Sequence, residues 1–254
     1  MTRTVSLLAL FVGIQCLAAT ALHAEHKTQS SAEARTVVYF KIDDSAVQKL
    51  LPAGWVATPG AGLPTGTNLS VVLIENVFLA GPDNKPVPST TRYGVLVVPA
   101  KNEQTGISAP VVVGGFASPA AAAPGAYSVY VPAKIAVAKS MHVDEAGPAI
   151  SEEIWDISTD MGDRLHFSVT YERGVGTRSH VEPRIYSAAN PMFYRIYKVD
   201  QVTDLVRSSA DSGRMKKLEF TVSGQQMTSI FGSSPEPVAV MSIPAYYREI
   251  FLPD

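Results

Sequence analysis

The stretch DRLHFSVTYER, residues 163–173, alternates apolar and polar side chains without interruption. Leu165, Phe167, Val169 and Tyr171 are the apolar members, and charged or hydroxyl side chains fill the positions between them. Because successive side chains of a strand point to opposite faces, one face of this segment packs on a core, and the other meets solvent or a polar interior. The pattern predicts an antiparallel strand that is covered on one side only.

Segments of the same kind recur on both sides of this strand. They are rich in Val, Ile, Tyr and Phe and are bounded by Gly, Pro, Asn, Asp or Ser, as strands joined by turns are. They read VVYFKI, NLSVVLIENVFL, RYGVLVVPA, APVVVGGF, YSVYVPAKIAVAK, AISEEIWDIS, MFYRIYKVDQVTDLVRSS, RMKKLEFTVS and VAVMSIPAYYREIFLP. Helices are predicted only at residues 44–51, after an Asp43 or Asp44 cap, and at 225–230. The sequence therefore predicts a mostly β (α+β) fold with one or two short helices and an antiparallel sheet large enough to form a barrel or a sandwich.

The first residues have the pattern of a secretory signal peptide. Arg3 precedes the apolar run TVSLLALFVGIQCLAATAL, which ends in small residues, and cleavage is predicted after Ala21 or Ala24. A retained membrane anchor is the alternative, because a run of about 19 apolar or small residues could just span a bilayer. We expect residues 25–35 to be a flexible N-terminal segment and residues 36–254 to form the folded domain. The mature protein is expected in the periplasm or outside the cell, without stable membrane insertion.

Composition and charge exclude several classes of function. The only cysteine, Cys16, lies inside the predicted signal peptide, so the mature chain has no thiol for a disulfide, a nucleophile or a thiolate metal site. The formal net charge is −2 and no basic block occurs, so nucleic acid is not an expected partner. Phosphate-binding glycine loops and the G-x-S-x-G, H-E-x-x-H and C-x-x-C motifs are all absent. We expect no cofactor and no metal, since no known ligand spacing is matched by His142, Asp144, Glu145, His166 and His180.

Two charged side chains lie in apolar strands and are candidates for chemistry. Lys134 lies in the middle of YSVYVPAKIAVAKS, residues 127–140, and its neighbours on the same face of the strand are too small to cover it. It is either a solvated strand residue or an amine held in a pocket. Glu75 follows the aliphatic run of NLSVVLIENVFL, so it is either paired when buried or faces water at a strand end.

Several stretches resemble the acetoacetate decarboxylase-like family. VVYFKIDDSAVQKLLPAG followed by NLSVVLIENV is similar to the opening of these proteins, in which an aromatic-x-x-Asp strand leads into a helix, a Leu-Pro turn and an apolar strand with a glutamate. YRIYKVDQVTDLVRSSADSGRMKKLEFTV and the closing REIFLPD are similar to the family's last strands. The resemblance covers most of residues 36–254. It implies a single β-rich domain curled into a cone or barrel, often oligomeric, with an interior pocket where a lysine forms a Schiff base with a β-keto acid.

The resemblance also implies site residues. The family's Pro-Lys-Lys matches Pro132, Ala133 and Lys134, which makes Lys134 the implied Schiff-base lysine, with Glu75 handling protons. The implied substrate-binding residues are Arg35, Lys139 and Phe116. Ala133 replaces one of two adjacent cations, so either burial activates Lys134 or its ammonium only binds a carboxylate. The family's Gly-Arg-Glu before the lysine has no counterpart, since the matching residues 113–116 read VGGF.

Three functions follow from these observations. The first is a lyase that acts on a small β-keto acid through a lysine Schiff base, because an iminium accepts the electrons left by carbon dioxide better than a ketone does. The second is a non-catalytic periplasmic β-barrel that binds a small carboxylated or apolar ligand, with Lys134 as a counter-ion. The third is a structural or partner-binding envelope protein in which Lys134 faces water.

Overall fold

The computed structural model describes residues 25–88, 91–207 and 213–254. The predicted signal peptide, residues 1–24, lies outside these ranges, as do residues 89–90 and 208–212. Within the described ranges, no helix combines the length and the hydropathy needed to cross a bilayer.

Strands make up most of the described chain. They are β1 (Glu25–Phe40), β2 (Trp55–Ala57), β3 (Leu69–Ala80), β4 (Arg92–Asn102), β5 (Ser108–Ser118), β6 (Tyr130–Pro132), β7 (Lys134–His142), β8 (Ile150–Ser158), β9 (Arg164–Glu172), β10 (Thr177–Val181), β11 (Arg184–Ser187), β12 (Tyr194–Arg207), β13 (Met215–Ser223) and β14 (Pro237–Pro253). The two α-helices are α1 (Asp44–Leu50) and α2 (Gln225–Phe231), and one 3-10 turn covers Ala120–Ala122. The predicted mostly β class with two short helices is confirmed.

Seven strands close into a barrel in the order β4-β3-β1-β14-β12-β11-β5, with β5 pairing back onto β4. The pairings are antiparallel except between β5 and β11, and β6 adds to β5 in parallel. Closure turns one face of every barrel strand towards the interior, so polar side chains on that face line the inside of the barrel.

A second, four-stranded sheet, β13-β9-β8-β7, packs on the outside of the barrel. Its strand β9 contains the alternating stretch 163–173, and Leu165, Phe167 and Val169 are buried as predicted. The barrel surface is flat enough to receive this sheet partly because residue 94 is glycine: a Cβ there would lie 2.8 Å from Cδ1 of Ile157. A larger residue at 94 would push the two layers apart.

Two separate cores result from this arrangement. One fills the space between the barrel and the second sheet and includes Phe40, Leu73, Trp155 and Phe167. The other lies inside the barrel and includes Tyr39, Ile74, Val95, Val112, Tyr197, Val199 and Ile250. Along each barrel strand, neighbouring residues therefore belong to different cores, because the side-chain period is two.

The N-terminal part of the described chain corrects one prediction. Residues 25–35, expected to be a flexible segment, form the first two thirds of β1 and pair with β14 from Glu25 onwards. The polar composition that suggested flexibility has another cause, since the inward side chains of this stretch form a polar barrel interior. The α1 prediction is confirmed, with the carboxylate of Asp43 accepting from the backbone N–H of Ala46 at 3.0 Å.

Candidate ligand-binding cavity of the barrel

The barrel encloses a cavity of about 130 Å³. Aliphatic side chains from β3, β4, β5 and the start of β11 form one part of its wall: Val72, Ile74, Val95, Val97, Val112 and Ile185. Apart from Ala126, the rest of the wall consists of three arginines, four tyrosines and two amides: Arg35, Arg195, Arg248, Tyr93, Tyr127, Tyr130, Tyr197, Gln29 and Asn76. A concave chamber in which polar groups converge beside an aliphatic wall is a form that small-molecule sites take.

Glu33 holds two of these arginines. Its side chain is fully buried, and its carboxylate lies 2.5 Å from Nη2 of Arg35 and 2.7 Å from Nη2 of Arg248. Nε of Arg35 and Oγ of Ser31 also donate to the carboxylate, at 2.6 and 2.8 Å. Ser31 in turn accepts from Nε of Arg248 at 3.0 Å. Both guanidinium groups are thereby fixed in position at the cavity wall.

The charge states in this cluster follow from the contacts. Burial alone raises the pKa of Glu33, but the neighbouring Arg248 and Arg35 and the Ser31 hydroxyl outweigh it, so the pKa lies below its ordinary value. Burial likewise opposes the charge of Arg248, yet the Glu33 carboxylate raises the pKa of that guanidinium. The cluster therefore carries two positive charges and one negative charge.

A tyrosine cluster lies beside these arginines in the cavity wall. The hydroxyls of Tyr127 and Tyr197 are 2.5 Å apart, and Oγ of Ser187 donates to the Tyr127 carbonyl at 2.6 Å. The rings of Tyr93 and Tyr130 pack with their centroids 5.5 Å apart. Burial raises the pKa of both Tyr127 and Tyr130, so these phenols remain protonated near neutrality and can donate hydrogen bonds to a ligand.

The guanidinium groups of Arg35 and Arg248 also lie over aromatic rings. The Arg35 guanidinium lies 3.6 Å from the centroid of Tyr246, and that of Arg248 lies 4.7 Å from the centroid of Tyr197. These contacts hold the planar groups flat against the wall. Both arginines line the cavity, where an anion can meet their guanidinium groups.

Lys134 lies outside this cavity. Its side chain is 86% exposed on β7 of the second sheet, and its ammonium is 3.9 Å from the equally exposed carboxylate of Asp160. The expectation that the barrel wall covers this amine is wrong. The strand period gives the reason, since the buried Ile135 and the half-buried Ala133 face the core and Lys134 between them must face outward.

Glu75 and Lys139 meet each other, but in the cleft between the barrel and the second sheet. Nζ of Lys139 lies 3.6 Å from Glu75 and 3.7 Å from Glu153, and Nε of Arg92 lies 3.7 Å from Glu75. Glu153 is buried, and Thr36 Oγ1 donates to it at 2.8 and 2.9 Å, with a further donor in the indole of Trp155.

The neighbour of Glu75, Asn76, is the residue that faces the cavity. A one-residue difference in register thus decides which side chain enters the barrel.

Two further predicted residues have different outcomes. Arg35 lines the cavity and is held there by Glu33, as described above. Phe116 is buried between the barrel and the second sheet, so it packs in the interlayer core and does not line the cavity. Within the described ranges, no cluster of three or more His, Asp or Glu side chains could hold a metal ion.

Sequence reasoning missed Glu33, Arg195, Arg248, Tyr127 and Tyr197. Polar residues at alternate strand positions ordinarily face solvent, and only barrel closure turns them inward. One signal was available, because Gln29, Ser31, Glu33 and Arg35 recur at a period of two before the apolar part of β1. A column of this kind predicts a strand with one polar face and not a flexible tail.

Comparison with known proteins agrees with this architecture. No family model and no curated protein matches the sequence. Among solved structures, the enduracididine biosynthesis enzyme MppR complexed with pyruvate superimposes with a TM-score of 0.55 at 12% identity, over 89% of this chain and 88% of that chain.

Two further structures superimpose with TM-scores of 0.50. One is an acetoacetate decarboxylase-like enzyme from Sphingomonas wittichii, at 13% identity over 91% of each chain. The other is acetoacetate decarboxylase from Legionella pneumophila, at 11% identity over 90% of this chain and 86% of that chain. The predicted resemblance is confirmed at the level of the fold: the chain has the architecture of the acetoacetate decarboxylase-like proteins.

Proposed function

We propose that this protein binds a small carboxylated molecule inside the barrel without forming a covalent bond to it. The observation that carries the proposal is the composition of the cavity wall, which combines three arginines and four tyrosines with aliphatic side chains. Every lysine of the sequence lies in the described ranges, and none of them lines the cavity there.

The arginines supply the affinity for an anion. A guanidinium matches the geometry of a carboxylate and can donate two parallel hydrogen bonds to it. Because Glu33 fixes Arg35 and Arg248 before any ligand enters, little side-chain entropy is lost on binding. The aliphatic wall suits the hydrocarbon part of the ligand. A cavity of about 130 Å³ suits a small ligand.

The fold comparison is compatible with a ligand of this size. MppR, which has the same fold, is described in complex with pyruvate, a three-carbon keto acid. That complex concerns MppR alone, and for the present chain it suggests pyruvate as a first probe. The Schiff-base lyase is the weaker hypothesis, because Lys134 is on the outer surface and Lys139 is engaged by two carboxylates in the cleft.

Calorimetric titration of the mature chain with pyruvate tests the binding proposal. We expect measurable binding that Arg35→Gln weakens about 10- to 100-fold, because a hydrogen bond to a charged group contributes roughly 1.5–3 kcal/mol. Arg35→Gln leaves Glu33 paired with Arg248, so the fold keeps its buried ion pair. Arg178→Gln is the matched control, since Arg178 is an exposed arginine that pairs with Asp200. Equal affinities for both variants and the parent chain would contradict the proposal.

Trapping with borohydride separates binding from iminium chemistry. The mature chain is incubated with acetoacetate and borohydride, and peptides are then analysed by mass spectrometry. We expect no reduced adduct at any lysine. A stoichiometric adduct, at Lys134 or elsewhere, would favour the lyase and overturn the non-covalent proposal.

We also propose that the chain is exported and acts in the periplasm or outside the cell, with cleavage after Ala21 or Ala24. Cleavage after Ala24 would make Glu25, the first residue of β1, the mature N-terminus. N-terminal sequencing of the protein recovered from a periplasmic extract tests this proposal, and an intact Met1 would refute it.

A further inference from the structure

Arg195 is a cation of the cavity that the Glu33 cluster does not use. It lies on β12 with its side chain on the inner face, in line with Tyr197 and Val199, and it pairs in register with Ile185 of β11. Its Nε is buried and has no hydrogen-bond partner. Among the described residues, no carboxylate forms an ion pair with its guanidinium.

The charges around the cavity do not balance. Three arginines line it, and Glu33 is the only carboxylate that pairs with any of them within the described ranges. Three positive charges and one negative charge leave an excess of two positive charges. Arg195 is half-buried with its Nε shielded from solvent, and a shielded cation without a counter-ion is unfavourable, so an excess of this kind favours an anionic ligand with more than one charge.

The two cationic centres lie apart along the barrel. In the pairing of β12 with β14, Arg248 is opposite Val199, and Arg195 lies four residues further along β12. At about 3.3 Å per residue, this separates the backbone positions by roughly 13 Å along the strand. Both side chains reach the same cavity, so a ligand could meet Arg35 and Arg248 with one end and Arg195 with the other.

We propose that the ligand of the barrel is a short dicarboxylate, with one carboxylate bound by Arg35 and Arg248 and the second bound by Arg195. This inference rests on the proposed function, since it assumes that the cavity takes up a carboxylate. It adds that Arg195 determines specificity, because a second carboxylate both accepts from its unpaired donor and offsets its charge.

Calorimetric titration of the full mature chain with succinate and butyrate tests the inference, since the two differ in one carboxylate and have the same number of carbons. We expect succinate to bind at least tenfold more tightly than butyrate. In Arg195→Gln, the ratio of the two affinities should approach one, because succinate loses the partner of its second carboxylate. Arg184→Gln is the matched control, because Arg184 is an exposed neighbour on β11 that stacks on Tyr194.

A second comparison needs no variant. Monomethyl succinate has one charge fewer than succinate and nearly the same shape, so the parent chain should bind it at least tenfold more weakly. If succinate and its monomethyl ester bind equally, or if Arg195→Gln keeps the preference for succinate, the dicarboxylate inference is wrong and carboxylate binding itself stands. If none of the three compounds binds and pyruvate does not bind either, the proposed function fails together with the inference.

Discussion

Replacing Glu33 with glutamine tests the electrostatic basis of the cavity. Glutamine keeps the shape of the side chain but removes the charge that holds Arg35 and Arg248. Both arginines would then be buried beside a neutral amide. Breaking a buried ion pair by removing one partner lowers the free energy of unfolding by about 3–5 kcal/mol. We expect a loss of this size for Glu33→Gln, which is a large share of the roughly 5–15 kcal/mol of a typical domain.

Urea unfolding followed by circular dichroism measures this loss, and a thermal scan should give a melting temperature lower by roughly 6–20 °C. Glu249→Gln is the matched control. Glu249 lies on β14 and pairs with Lys27 at 2.5 Å, but its side chain is partly exposed to solvent. An ion pair of that kind contributes at most about 1 kcal/mol. If Glu33→Gln loses no more stability than Glu249→Gln, the buried carboxylate does not hold Arg35 and Arg248 in place.

The pH dependence of the unfolding free energy, compared between the parent chain and Glu33→Gln, gives an independent check. The pKa of Glu33 lies below its ordinary value of 4.5 in the folded state, so the unfolded chain takes up a proton at a higher pH than the folded chain does. The stabilisation by Glu33 is therefore complete above that ordinary value and is lost as the pH falls through the lower folded-state pKa. The difference in unfolding free energy between the parent chain and Glu33→Gln should be constant from neutral pH down to about 5 and then shrink. A difference that grows on acidification would refute the reasoning.

Three further predictions concern single side chains. Because the Lys134 side chain is exposed, Lys134→Ala should change the unfolding free energy by no more than about 0.5 kcal/mol. Calorimetry should show an unchanged affinity for pyruvate, and loss of binding would contradict the location of the site. Tyr127→Phe leaves the buried hydroxyl of Tyr197 without its partner, so urea unfolding should report a loss of about 1–3 kcal/mol, and a neutral result would contradict the hydroxyl pair. Trp155→Ala removes a fully buried ring from the interlayer core and should lower the unfolding free energy by about 3–5 kcal/mol. A loss under about 1 kcal/mol would mean that the second sheet is not docked on the barrel.

Much of the fold could be predicted because strand periodicity depends on local sequence. The alternation at 163–173, the capped helix after Asp43 and the spacing of the apolar runs all correspond to elements of the structure. The division of the strands between a closed barrel and a separate sheet could not be derived from periodicity. Closure depends on the pairing of β4 with β5 and of β5 with β11, which are contacts between segments distant in sequence.

The site was harder to predict for the same reason. A polar face of a strand looks identical in sequence whether it meets solvent or the interior of a barrel. Lys134 and Arg248 illustrate both outcomes, since the first is solvated on β7 and the second is buried against Glu33 on β14. Only the tertiary structure distinguishes them, because the distinction depends on which strands close around each face.

The positions of Ala133 and Asn76 bear on the proposal that the barrel binds its ligand without a Schiff base. Ala133 lies between β6 and β7, packs against the interlayer core and has no amine, whereas Lys134 next to it is exposed. On β3, the carboxylate of Glu75 lies outside the barrel and the neutral amide of Asn76 lies inside. On β3, one residue separates the outward carboxylate from the inward amide, and one residue is enough to move a side chain across a sheet. What remains inside is a set of fixed cations and phenolic donors, which can hold an anion but offer it no amine to attack.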